Sequence, residues 1–290
     1  MIHQGTKSLY TIGIDIGGTN TRIAVVDSNY HVYLKEAIKT KDSISFASEM
    51  ASEVRRILEK NGISLSKIKS IGIGVPSITD NGVVYDATNI RSWKKVDLKA
   101  IMEESTGIVT YVENDAKCFA LGELIDGKLK GSKNAVAVIL GTGVGSGVII
   151  NGNLYAGMMS SAGEIGKNSL KDKTVEDYCS GRFFKEYGYS GEDVYSLAKK
   201  KSKSAQIIFD RYGANLGLAL VGVINVLSPE VVLLGGSIAK SYPYFGKSMK
   251  KTIQDKMHFK RLFKKIRFMT TDNMDSALIG ASALSKIRSV

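Results

Sequence analysis

A chain of 290 residues, 43% of them hydrophobic, can bury a sizeable core and suits one large or two modest domains. Its formal charge of +12 invites a polyanion partner, but the lysines are spread along the chain, with local excess only at 199–203 and 247–267. They read as solvated faces whose field favours anionic nucleotides and sugar phosphates, so no nucleic-acid partner is expected. Cys118 and Cys179 lie far apart with no CxxC, which argues against a disulfide framework or a cysteine-rich zinc site and fits a cytoplasmic protein. No signal peptide opens the chain, and the apolar stretch Leu216 to Leu234 is cut by Ser228-Pro229-Glu230, so no membrane span is expected.

The first elements are two strands around a glycine turn, Ile12 to Asp27. Ile12, Ile14 and Ile16 alternate with Gly13, Asp15 and Gly17, and Thr21, Ile23 and Val25 alternate with Arg22, Ala24 and Val26. A strand after the turn, and not a helix, disfavours a dinucleotide fingerprint, and the absence of a Lys-Ser or Lys-Thr disfavours a P-loop. Two readings remain. The Gly17-Gly18 turn, with Thr19 and Asn20, offers backbone N–H groups to phosphate, with Asp15 facing the same space; or it is an ordinary hairpin turn.

A strand at His31 to Lys35, a helix at Ser45 to Lys60 ended by Asn61-Gly62, and a strand at Ile68 to Val75 follow. Val96 to Thr106 reads as a helix, Val109 to Val112 as a short strand, and Asp115 to Ile125 as a helix with Glu113-Asn114-Asp115 at its N-terminal turn. The pattern then restarts: a strand at Ala135 to Leu140, a glycine loop from Gly141 to Gly147, and a strand at Val148 to Ile150. A long helix at Ala205 to Leu227, a strand at Val231 to Leu234, a Gly235-Gly236-Ser237 turn and a final helix at Asp275 to Lys286 complete the pass. The repeat predicts an α/β protein of two similar domains facing a cleft. The first is expected to span 1–111 plus 275–290, the second 112–274.

DIGGTN at Asp15 to Asn20, ENDA at Glu113 to Ala116, GTGVGSG at Gly141 to Gly147, GEIG at Gly163 to Gly166 and LLGGS at Leu233 to Ser237 occur in that order. Together they resemble the ROK family of sugar kinases and regulators over nearly the whole chain. The resemblance implies an actin-like, ribonuclease-H-like fold that binds ATP, Mg²⁺ and a sugar in the cleft. It implies nucleotide contacts from Gly17, Gly18, Thr19 and Asn20, from Gly141, Thr142 and Gly143, and from Gly235 and Gly236 near the adenosine. Asp15 would serve Mg²⁺ through water. Asp115 would be the catalytic base, since a sugar hydroxyl attacks well only as its proton is accepted; taken alone, it reads first as a helix-stabilising carboxylate, and the five motifs together reverse that order. Asn89, Asn114, Glu164 and Glu176 would join Asp115 in binding sugar hydroxyls.

The chain departs from the family at Lys167, where many members have a histidine before a cysteine-rich zinc segment. The stretch 168–175 contains neither residue type, so no zinc is expected, and Lys167 becomes a further sugar-contact candidate. The expectation is an ATP-dependent kinase for the C6 hydroxyl of a hexose or 2-acetamido hexose, N-acetylmannosamine slightly ahead of glucose, acting as a homodimer or higher homo-oligomer. The alternative is a sugar-sensing regulator-like binding protein without kinase activity. With the phosphate-loop strand beginning by Ile12, the regulators' N-terminal helix-turn-helix is not expected.

Overall fold

The computed structural model describes residues 9–287. A three-stranded meander, β1 (Tyr10–Ile16), β2 (Asn20–Asp27) and β3 (Val32–Lys39), precedes helix α1 (Phe46–Lys60) and β4 (Ile68–Val75). Three short strands, β5 (Ile78–Asp80), β6 (Val83–Tyr85) and β7 (Lys95–Asp97), lead to α2 (Leu98–Thr106), β8 (Thr110–Asn114) and α3 (Asp115–Asp126). Then come β9 (Ala135–Leu140), β10 (Val144–Ile150), β11 (Asn153–Tyr155), β12 (Ser169–Leu170) and β13 (Lys173–Thr174). Helices α4 (Val175–Cys179), α5 (Gly181–Lys185), α6 (Gly191–Lys199) and α7 (Lys203–Leu227) are followed by β14 (Val231–Gly235), α8 (Tyr242–Lys256), α9 (Lys260–Phe263) and β15 (Arg267–Thr270). Two short helices, α10 (Ser276–Ser282) and α11 (Leu284–Ile287), close the chain.

The chain divides into two compact units, Met1–Lys130 with Asn153–Ala162 and Met274–Val290, and Gly131–Gly152 with Gly163–Asn273. In the first, the sheet order is β3-β2-β1-β4-β8, antiparallel through the meander and parallel from β1 to β4 to β8. The alternation in β1 and β4 now has its physical reason. Ile12, Ile14, Ile16, Ile71, Ile73 and Val75 are buried among α1 and α2 with Phe46, Met50 and Trp93. On the opposite face Gly13 and Gly72, neighbours in register, admit the backbone of α10: a Cβ at either would overlap the carbonyl oxygen of Leu278 or Ala281.

The second unit repeats the arrangement. Within it the strands run β10-β9-β14-β15, with β9 and β10 antiparallel and β9, β14 and β15 parallel. Val136, Val138, Val232 and Leu234 join Phe209, Tyr212, Leu216 and Ile224 of α7 in one core. Helix α7 is long and apolar enough to cross a membrane, yet it is the core helix of this unit.

Several predicted boundaries move. The first unit extends past Tyr111 to Lys130, because β8 pairs with β4 and Gly122 of α3 lies against the backbone of α10. Val96 to Thr106 is not one helix: Lys95–Asp97 pairs with β6, and the Asp97 side chain caps α2 by accepting from Ala100 N. The second glycine loop is only Gly141 to Gly143, since Gly145, Ser146 and Gly147 pair with Ile139, Val138 and Ala137. The final helix breaks at Ala283.

Candidate active site

In the first unit the Gly17–Thr19 turn is closed by Gly17 N donating to Asn20 O at 3.1 Å. Thr40 secures it from β3's end, its amide donating to Thr19 O at 3.0 Å and its hydroxyl to Gly17 O at 2.8 Å. Gly18, Thr19 and Asn20 are left exposed. Asn89, also exposed, lies over the turn: a Cβ at Gly18 would sit 3.3 Å from its side-chain amide. Asp15 is held by Arg22 through two bonds to Oδ2, 2.6 Å from a terminal guanidinium nitrogen and 3.2 Å from Nε. Arg22 was not among the predicted site residues, though Asp15 and Arg22 are direct cross-strand partners once the hairpin register is set.

Parallel pairing lines up Asp15, Gly74 and Glu113 across β1, β4 and β8, and Gly74 has room for the start of α3, with Asp115 Cα 3.3 Å from where its Cβ would be. Asp115, half-buried, is the first residue of α3, at the carboxyl end of the parallel strands where ligands of such sheets bind. Asn114 caps that helix: its Oδ1 accepts from Ala116 N at 3.0 Å and Lys117 N at 3.2 Å, while its Nδ2 donates to Ser77 O at 3.3 Å. Buried Glu113 accepts from Asn114 N at 2.7 Å, and fully buried Lys117 donates to Ser160 O at 2.7 Å. Ala116 N donates to Asp115 Oδ1 at 2.8 Å, so the carboxylate lies at the positive end of α3 with a backbone donor beside it.

In the second unit Gly141 N donates to Gly143 O at 3.0 Å and Gly181 N to Gly141 O at 2.8 Å. Glu176, at the start of α4, is buried behind this turn, with Oε2 accepting from Val144 N at 3.2 Å. A side chain at 143 would collide with that carboxylate, its Cβ lying 2.6 Å from Oε2. Oε1 of Glu176 meets Arg182 at 2.9 Å and Lys167 at 3.4 Å. Arg182 also reaches Asp177 at 3.3 Å, and two bonds from Thr174, then Arg182, hold the Asp177 carboxyl below the usual range. Glu164 is half-buried beside the short turn Ile165–Lys167. Burial pushes the nearby Cys179 thiol up to about 12.

A cavity of about 320 Å³ opens beside this turn, lined by Gly141, Thr142, Arg182, Lys185, Ser237 and Lys240 among others. Gly235, the last residue of β14, is buried. Gly236, at φ +85°, makes the turn because a Cβ there would strike Leu140 O. Ser237 and Ile238, the next residues, line the cavity. Thus Asp15, Gly17 to Asn20, Asn89, Asn114 and Asp115 belong to the first unit, and Gly141 to Gly143, Glu164, Lys167, Glu176, Gly235 and Gly236 to the second.

The profile of the ROK family matches residues 11–288. The chain belongs to the ROK family. It is 29% identical to a glucokinase of Halalkalibacterium halodurans, over 86% of this chain and 84% of that protein. It is 25% identical to a xylose repressor of Bacillus spizizenii, over 89% of this chain and 72% of the repressor. A ROK family glucokinase from Streptomyces griseus, solved in complex with glucose and AMPPNP, shares the fold at a TM-score of 0.77 and 23% identity, over 95% and 98% of the two chains. The doubled sheet is therefore the actin-like, ribonuclease-H-like fold of ROK proteins, a family with both a glucokinase and a xylose repressor among these relatives. In this ROK protein the residue after GEIG, Lys167, is tied to Glu176.

Proposed function

We propose that this ROK protein is an ATP-dependent kinase for the C6 hydroxyl of a hexose or 2-acetamido hexose. The observation that carries the reading is Asp115, a carboxylate fixed by the cap of α3 at the carboxyl ends of β4 and β8. Such a group can accept the hydroxyl proton as the oxygen attacks, while phosphoryl transfer otherwise needs positioning and charge stabilisation more than covalent help. The glucokinase relative, sharing 84% of its length with this chain, supports the kinase class.

The residues suit ATP and Mg²⁺. The exposed Gly17–Asn20 turn and the Gly141–Gly143 turn offer backbone donors to phosphate, and the second borders a cavity with Arg182, Lys185 and Lys240. When bound, ATP supplies the phosphoryl group and Mg²⁺ offsets its charge. Asp15 has one carboxylate oxygen occupied by Arg22, which favours a water-mediated place beside the metal over direct ligation. For the sugar, Asn114 spends its carbonyl oxygen on the helix cap and one amide hydrogen on Ser77, so it acts as a donor with the remaining hydrogen. Asn89, Glu164, Glu176 and Lys167 complete the proposed contacts. The altered Lys167 favours N-acetylmannosamine, while the glucokinase relative speaks for glucose.

The repressor relative keeps a second reading open, a sugar-sensing protein without kinase activity. Coupled-enzyme turnover over a sugar panel at equal ATP tests both. The kinase reading expects sugar-dependent ADP release, fastest with N-acetylmannosamine. Activity on glucose alone overturns the substrate preference, and sugar binding with no turnover favours the regulator.

A further inference from the structure

The Glu176 carboxylate touches both Lys167, the residue after GEIG, and Arg182, which lines the cavity. Its buried Oε2 braces the Gly141–Gly143 turn through Val144 N, and its Oε1 is shared by two half-exposed cations. One, Lys167, is on the GEIG segment beside Glu164. The other, Arg182, lines the cavity with Gly141 and Thr142 and is held a second time by Asp177. Lys185 and Lys240 also line the cavity, but within this set only Arg182 contacts Glu176, and Lys240 is paired instead with Glu192 at 3.5 Å. An anion entering the cavity and the Glu176 carboxylate would therefore bid for one guanidinium.

We infer that Arg182 is a positioning residue that couples nucleotide binding to sugar binding through Glu176. This rests on the kinase reading, in which the cavity takes the nucleotide and Glu176 a sugar hydroxyl. Paired as they are, Arg182 and Lys167 occupy Glu176 Oε1 as an acceptor. A phosphate group, offering bidentate acceptors to a fork of donors, draws the guanidinium towards itself. Oε1 is then left to Lys167 and to a sugar hydroxyl. By linkage the effect is reciprocal, and a coupling of about tenfold lies within the ordinary range for two-site systems.

The test is calorimetric titration of the full-length protein with AMPPNP and Mg²⁺, and with N-acetylmannosamine and glucose, separately and together. In the wild type, AMPPNP should tighten the better-bound sugar about tenfold. Arg182→Ala should bind that sugar without AMPPNP nearly as tightly as the wild type does with it, and show almost no further gain. Arg182→Lys, with a point charge in place of the fork, should keep part of the coupling, and melting curves verify that both variants fold. The inference is overturned, with the kinase reading intact, if Arg182→Ala keeps the full coupling or weakens sugar binding equally with and without AMPPNP. A wild type that binds no AMPPNP overturns both.

Discussion

Asp115 and Asn114 share one helix end but have different tasks. Asn114 satisfies the first amides of α3, and Asp115 is left half-exposed beside it. Asn114→Ala should cost about 1 kcal/mol of stability through the lost cap, read as a lowered denaturant midpoint, along with weaker sugar binding. Cys179 makes a pH-dependent contribution. Folded, its pKa is about 12; unfolded, about 8.5, so above pH 8.5 the unfolded chain releases a proton that the folded protein retains. Stability should fall with rising pH, by about 1.4 kcal/mol per unit from this group between about pH 8.5 and 12. Cys179→Ala should flatten the alkaline limb of a stability-against-pH curve, and an unchanged slope would count against the assignment. At this scale the motif residues were legible because glycine turns and a helix-start carboxylate have local signatures. Arg22 and Arg182 were not, because an arginine's partner is set by strand register in one case and by the packing of α4 and α5 in the other.

The strands of the first unit place isoleucine on one face and glycine on the other, and the glycine face is what α10 requires. Gly13, Gly72, Gly122 and Gly280 all sit where a Cβ would overlap backbone carbonyl oxygen, that of Leu278, Ala281, Ser276 and Cys118 respectively. Backbone cannot yield as a side-chain tip can. Gly280→Ala should therefore destabilise the protein by about 1–3 kcal/mol or more, measured by thermal or urea unfolding, although alanine is intrinsically the better helix former. The same contact holds α10 against the sheet of the first unit. The boundaries that moved have equally specific reasons: Lys95–Asp97 became a strand by pairing with β6, and Gly145 to Gly147 joined β10 by pairing with β9. Non-local pairing decides these cases, and no local propensity encodes it.

At the scale of the molecule, the duplication visible in the sequence is the duplication of two sheets, each an antiparallel hairpin extended by parallel strands. The division between units was not visible at Tyr111, because β8 belongs to the first sheet and the segment Asn153–Ala162 returns to the first unit. Each unit carries one glycine turn, and the first also carries Asp115. The proposed role of Asp115 as proton acceptor is read from the rate of sugar 6-phosphate formation from ATP by wild type and Asp115→Ala, with AMPPNP affinity and melting temperature recorded alongside. The rate should fall by about 10² to 10⁴ with folding and nucleotide affinity nearly unchanged. Near-normal turnover in Asp115→Ala would contradict it.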